Sequence, residues 1–220
     1  MKKLSLITLL ALITIGFSSC SSEDDLLIQE TSSEDFLKSF SVNKDSGGQF
    51  SLNYQLGDGV AADQEKDYKT NTNNIYLYSS QVQTRSIYND RLAIQDGQLR
   101  VNFRNTSNNK IYTITLQDDD IQTSKDSNDN EYIDSYGISG NEDGSYDLDF
   151  RVKDGVSVEF LYNGDDDIYE VHLRDDANAS QLDFSQTYTK QEGMTLKIDF
   201  VNHSNGKSTA TRKPRASVDD

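Results

Sequence analysis

Apolar side chains recur at every second position from Phe36 to about Val201. A period of two admits strands, where a helix would scatter the same residues around its axis. Residues 49–56 set Phe50, Leu52, Tyr54 and Leu56 on one face, and residues 98–104 do the same with Leu99, Val101 and Phe103. The cleanest run puts Tyr146, Leu148, Phe150 and Val152 on one side and Asp147, Asp149 and Arg151 on the other. Val156, Val158, Phe160 and Tyr162 follow, then Tyr169, Val171 and Leu173, then Met194, Leu196, Ile198 and Phe200. Further strands are expected at 75–78, 111–116 and 132–138. One polar face per strand predicts an all-β fold, an antiparallel β-sandwich of about 9–11 strands over one core. A lipocalin-like β-barrel, or two small β domains over 36–116 and 132–202, would meet the same pattern. No long-period repeat is read from the sequence.

Turn chemistry gives the expected connections. Asp96-Gly97 should join 92–94 to 99–103, Asp154-Gly155 should join 146–152 to 156–162, and Asn163-Gly164-Asp165 should lead into 168–173. Asn-Gly and Asp-Gly suit the positive φ of tight hairpins, so 145–173 reads as a three-stranded meander. Residues 57–74 and 118–130 read as long polar loops. Thr31 and Glu34 have capping-box spacing, which fits a short helix over 34–39, while Phe36, Phe40 and Val42 fit a strand as well. The expected domain runs over 35–203, and 204–220 reads as a disordered tail carrying Lys207, Arg212, Lys213 and Arg215.

Ahead of the strands lies a leader. Met1-Lys2-Lys3 is a basic start, and 4–17 is an apolar stretch too short to span a bilayer comfortably. It runs into Ser18-Ser19-Cys20. Small residues before a lone cysteine resemble the bacterial lipobox, with Phe17 where Leu is more usual. The resemblance implies a signal peptide over 1–19, cleavage before Cys20, and a diacylglyceryl group on its sulfur. The protein's partner would then be a lipid bilayer. Cys20 is the only cysteine, so no disulfide forms within the chain. Ser21-Ser22-Glu23-Asp24-Asp25 is similar to the acidic export signal of Bacteroidetes surface lipoproteins, which implies an outer-membrane protein facing outward; a periplasm-facing one is the alternative. Residues 20–34 then form an acidic tether. In leader and layout the chain loosely resembles the NigD-like and other small β-rich lipoproteins of Bacteroidetes.

The formal net charge is −16. Such a surface repels phosphate backbones, which argues against nucleic-acid partners. Catalytic patterns are missing as well: no G-x-S-x-G elbow, phosphate loop or dinucleotide fingerprint occurs. The two histidines, His172 and His203, lack zinc-ligand spacing, and His172 should face outward from its strand. A glycosidase pair could be drawn from 37 acidic residues, an abundance that removes its specificity, and the chain has no Trp.

Calcium is the cofactor this composition fits best. Asp126, Asn128, Asn130 and Asp134 mimic the start of an EF-hand loop, although Glu131 and Gly137 stand where Gly and a bidentate Glu belong. Asp118-Asp119-Asp120 and Asp165-Asp166-Asp167 are other oxygen clusters, and solvated turn residues account for all three. Tyr76 and Tyr78 share one side of a strand and are expected to pack inside, an exposed aromatic strip being the alternative. The expected function is a non-enzymatic, surface-anchored module that binds an extracellular glycan, protein or envelope component. A structural subunit using strand addition is the second reading, and a small hydrolase or inhibitor the third.

Overall fold

The computed structural model describes residues 36–82, 85–93, 97–118, 132–191, 193–203 and 211–219. Within them the chain is all-β: fourteen strands in two sheets and no helix. The strands are β1 (Leu37–Lys44), β2 (Phe50–Leu56), β3 (Val60–Asp67), β4 (Thr72–Ser79), β5 (Ile87–Leu92), β6 (Gln98–Asn105) and β7 (Ile111–Gln117). Then come β8 (Ile133–Gly140), β9 (Ser145–Val152), β10 (Val156–Asn163), β11 (Ile168–Asp175), β12 (Asp183–Thr189), β13 (Leu196–His203) and β14 (Thr211–Asp219). One sheet has the order β12-β9-β8-β1-β2-β5, the other β10-β11-β13-β14-β7-β6-β4-β3.

The chain winds between the sheets and follows the same course twice. β1, β2 and β5 lie side by side in one sheet and β3, β4, β6 and β7 in the other; β8, β9 and β12, then β10, β11, β13 and β14, repeat this. Even the two parallel pairs correspond, β4 with β6 and β11 with β13. The repeats meet through antiparallel pairs of equivalent strands, β1 with β8 and β7 with β14, as a two-fold axis requires.

The correspondence holds residue by residue. β1, β3 and β4 recur 96 positions later with unchanged length as β8, β10 and β11. Left-handed backbone recurs at the same spacing: Gly48 with Gly144, Gly59 with Gly155, Asn71 with Asp167, Gly97 with Gly193. So do turn hydrogen bonds. Ser80 N–H donates to Gly59 O at 2.7 Å and Asp176 N–H to Gly155 O at 2.8 Å, while Leu56 N–H to Ser86 O and Val152 N–H to Leu182 O are both 2.9 Å. One residue is added after Gly193, so Leu99, Val101 and Phe103 correspond to Leu196, Ile198 and Phe200.

Alternate residues of both sheets face one shared core, from Val42, Leu52 and Leu148 on one side to Val101, Leu116, Leu173 and Val218 on the other. Ring contacts cross between the sheets, with Phe40 to Phe103 at 6.0 Å and Phe150 to Phe200 at 5.2 Å. Burial of this continuous apolar surface is the main force holding the sheets together.

Several expectations are corrected. Both halves contribute to each sheet and to one core, so they are not two domains, and both sheets are open, so they are not a closed barrel. The repeat went unread because few equivalent positions carry the same residue; Asp58-Gly59-Val60 and Asp154-Gly155-Val156 are the one identical triplet that signals it. β9 and β10 lie in different sheets, as do β5 and β6, so Asp154-Gly155 and Gly97 mark crossovers rather than hairpins; only β10 and β11 pair. A left-handed glycine permits a sharp change of direction and does not dictate a ladder.

Residues 37–39 belong to strand β1 rather than a helix. The polar stretch at 57–74 contains β3, an edge strand with an exposed middle and hence little apolar alternation. Residues 211–219, expected within a disordered tail, form β14 near the middle of the larger sheet. Pro214 falls where the β13–β14 register shifts between Asp199 and Val201, a bulge that accommodates its missing N–H.

Candidate functional site

A cleft of about 1030 Å³ opens between the sheets at the end where β1 begins and β8 finishes. Phe40 on β1 and Tyr146 on β9 form its wall on one sheet; Leu77 on β4, Phe103 on β6 and Tyr112 on β7 form the other. Strand alternation aims all five side chains at the core. Tyr112 and Tyr146 hydroxyls are hydrogen-bonded to each other across the gap. Lys38, Asp58, Lys110 and Glu142 stand around the lining, and Ile111 is partly exposed there. The arrangement offers an apolar floor, two hydroxyls and charges of both signs. It suits retention of an amphipathic molecule, and no histidine lies among its lining residues.

The other end shows why this one is open. There Lys44 ends β1 and its ammonium reaches across to Asp118, which follows β7; Nζ to Oδ2 is 2.6 Å and the carboxylate is wholly buried. Tyr136 O–H donates to the same oxygen at 3.2 Å. The residue equivalent to Lys44 in the second repeat is Gly140, which lines the cleft. Phe40, paired with Gly140 in the β1–β8 ladder, lies over it, so that a Cβ on Gly140 would strike the ring. One end is thus crossed by an ion pair and the other is left as a cleft walled with rings.

A second polar cluster lies on the outer face of the larger sheet. Parallel pairing of β11 with β13 sets Arg174 opposite His203 and brings both histidines together. His172 Nδ1 lies 2.8 Å from His203 Nε2, and His172 Nε2 lies 2.7 Å from Glu170 Oε2. His172 faces outward as expected, yet both its nitrogens are engaged. Partial burial, then the Arg174 guanidinium and His172, pull His203 below its ordinary value. Equivalent strands of the first repeat carry no histidine and put Asn74 where β11 has Glu170; its Oδ1 accepts from Asn102 Nδ2 at 3.1 Å and from the Arg104 guanidinium Nε at 2.9 Å.

Of the residues singled out from sequence, Cys20, Asp126, Asn128 and Asn130 lie outside the described residues. Asp134 is exposed on β8, with Arg151 Nε 4.0 Å from its carboxylate. Among the described residues no group of three or more His, Cys, Asp and Glu is arranged to hold a metal ion. In the acidic turn after β10, Asp167 has left-handed backbone and accepts from Tyr162 O–H at 2.8 Å. Tyr76 and Tyr78 face outward while Ile75 and Leu77 are buried, contrary to the expected inward packing; Tyr76 O–H donates to Glu65 at 3.1 Å. Sequence reasoning missed the cleft and the Lys44–Asp118 pair, because both depend on which strands adjoin across the core.

Comparison with known proteins finds no matching family model, no matching curated protein and no matching solved structure.

Proposed function

We propose that the chain is a non-enzymatic binding module, lipid-anchored through Cys20, that holds an amphipathic small molecule in the cleft between its sheets. We read the two facing sheets as a twice-repeated β-sandwich. The observation that carries the proposal is the asymmetry between equivalent ends: Lys44 and Asp118 bridge one, and Gly140 stands at the open cleft of the other. A repeated scaffold that departs from its own symmetry at a concave, aromatic-walled site has the features of a ligand pocket. The leader and acidic tether support presentation at the outer membrane, facing outward.

Two experiments test this. Cells carrying the tagged chain would be treated with a protease that cannot cross the outer membrane, beside a Cys20→Ala control. Degradation of the intact chain with internal markers preserved supports surface display; protection of a lipidated chain rejects it. Binding would be screened by ligand-detected NMR on the full chain against sugars, aromatic acids and acyl compounds. An Ile111→Trp substitution, filling the cleft mouth, should abolish a true hit, and unchanged binding would place the ligand elsewhere.

A further inference from the structure

The two edges of the larger sheet are equivalent strands, β3 and β10, and they are finished in opposite ways. β3 carries Gln64-Glu65-Lys66 where β10 carries Phe160-Leu161-Tyr162. On β10 these residues are 37%, 43% and 56% exposed. Charged edges are the usual protection against unwanted pairing, and β3 has one. Its Gln64 amide also ties the sheets together, donating to Tyr54 O–H at 2.9 Å and to Asp90 at 2.5 Å. At β10 the equivalent contact is Phe160 against Phe150, with ring centres 6.0 Å apart. Beside it runs a row of rings, Tyr162 to Tyr169 at 5.0 Å and Tyr169 to Tyr188 at 4.6 Å.

Among the described residues β10 pairs only with β11, so alternate backbone N–H and C=O groups along its outer side face away from the sheet. The surroundings are acidic. Asp154 precedes the strand, Glu159 lies on its outer face with the Arg174 guanidinium 3.1 Å away, and Asp165, Asp166 and Asp167 follow it, so acid outnumbers base along this edge. A second copy pairing antiparallel through β10 would set Asp154 against the other copy's acidic turn, in a chain of net charge −16.

We infer that β10 is a docking edge for an extended peptide in which basic and apolar residues alternate, added as a ninth strand to the larger sheet. The apolar side chains of the peptide would extend the inner face beside Phe160 and Tyr162. Its lysines or arginines would lie on the outer face, near Glu159 and the acidic turn. Main-chain bonds supply the attachment and side-chain alternation the selection. This surface is separate from the cleft and does not depend on it.

The test uses the purified full-length chain and three fluorescent nonapeptides alternating Lys-Val, Lys-Ser and Glu-Val, followed by anisotropy. The Lys-Val peptide should bind at least tenfold more tightly than the others and weaken with salt. Giving β10 the β3 residues, in the triple variant F160Q/L161E/Y162K, should weaken it at least tenfold. Tyr162→Lys alone, on a largely exposed side chain, should weaken it without loss of folding. Methylating alternate backbone nitrogens of the peptide should abolish binding with no change to the protein. Equal binding to the triple variant, or undiminished binding of the methylated peptide, would overturn strand addition here. So would a dimer of the chain alone that the triple variant dissolves, since the occupant would then be a second copy.

Discussion

Lys44 Nζ lies 2.6 Å from Asp118 Oδ2, joining β1 of one sheet to the end of β7 in the other. The carboxylate is wholly buried and the ammonium nearly so, so either charge left alone would be strongly penalised. Lys44→Met and Asp118→Asn are each expected to cost about 3–5 kcal/mol in urea unfolding. The double change Lys44→Met with Asp118→Leu should recover most of that loss. Additive losses in the double variant would show that the two residues act independently.

Gly59 and Gly155 test the internal repeat. Each has left-handed backbone, and each carbonyl accepts from the residue opening the next connection, Ser80 or Asp176. A Cβ would meet little at either place, with the Ser80 and Asp176 carbonyl oxygens at 3.7 and 3.9 Å, so the cost of alanine is conformational. Gly59→Ala and Gly155→Ala should each cost roughly 1–2 kcal/mol and match one another within error. A large difference between the two would mean that the turns do not share one mechanical role.

Acid sensitivity should arise at the histidine pair. His203 is held below its ordinary 6.5 by burial and by Arg174 and His172, with Glu159 and Glu170 opposing. Between 6.5 and the lower folded value, the unfolded chain binds more protons than the folded one. The contribution is therefore complete above 6.5 and is lost as pH falls through that window. As pH is lowered from about 7.5, urea midpoints should fall less in His203→Gln than in the parent.

Tyrosine ionisation should destabilise the chain at high pH. Burial raises Tyr54 from 10.0 to about 12, with Asp90 adding to the effect and the Gln64 hydrogen bond opposing it. Burial also raises Tyr188, with Tyr169 acting in the same direction. Between 10.0 and about 12 the folded chain keeps a proton on Tyr54 that the unfolded chain releases, so stability falls as pH rises through that range. Tyr54→Phe should flatten the decline in alkaline urea titrations. Tyrosinate absorbance should show the two rings ionising after the exposed ones.

Strand identity was legible wherever a strand buries one face and exposes the other. β9 reveals itself by alternation alone, because solvent and core impose opposite demands on neighbouring residues. β3 was hidden because an edge leaves its middle wet. β14 was hidden by charge and Pro214, although Ala216 and Val218 are buried two apart. Sheet membership was not legible at all. Asp-Gly marks a corner equally well whether the chain folds back beside itself or crosses the core. The Lys44–Asp118 pair and the histidine pair depend on that unreadable choice, since 74 and 31 positions separate their members.

β14 lies between β13 and β7, joining the two repeats within the larger sheet, although it is the last strand along the chain. Threaded vectorially from its amino end, the polypeptide presents β7 long before β14 can pair with it, and β13 only just before. The two half-sheets can be sealed only when residues 211–219 have emerged. A nascent chain therefore carries the raw edge of β7 through the synthesis of the whole second repeat, open to mispairing until β14 arrives.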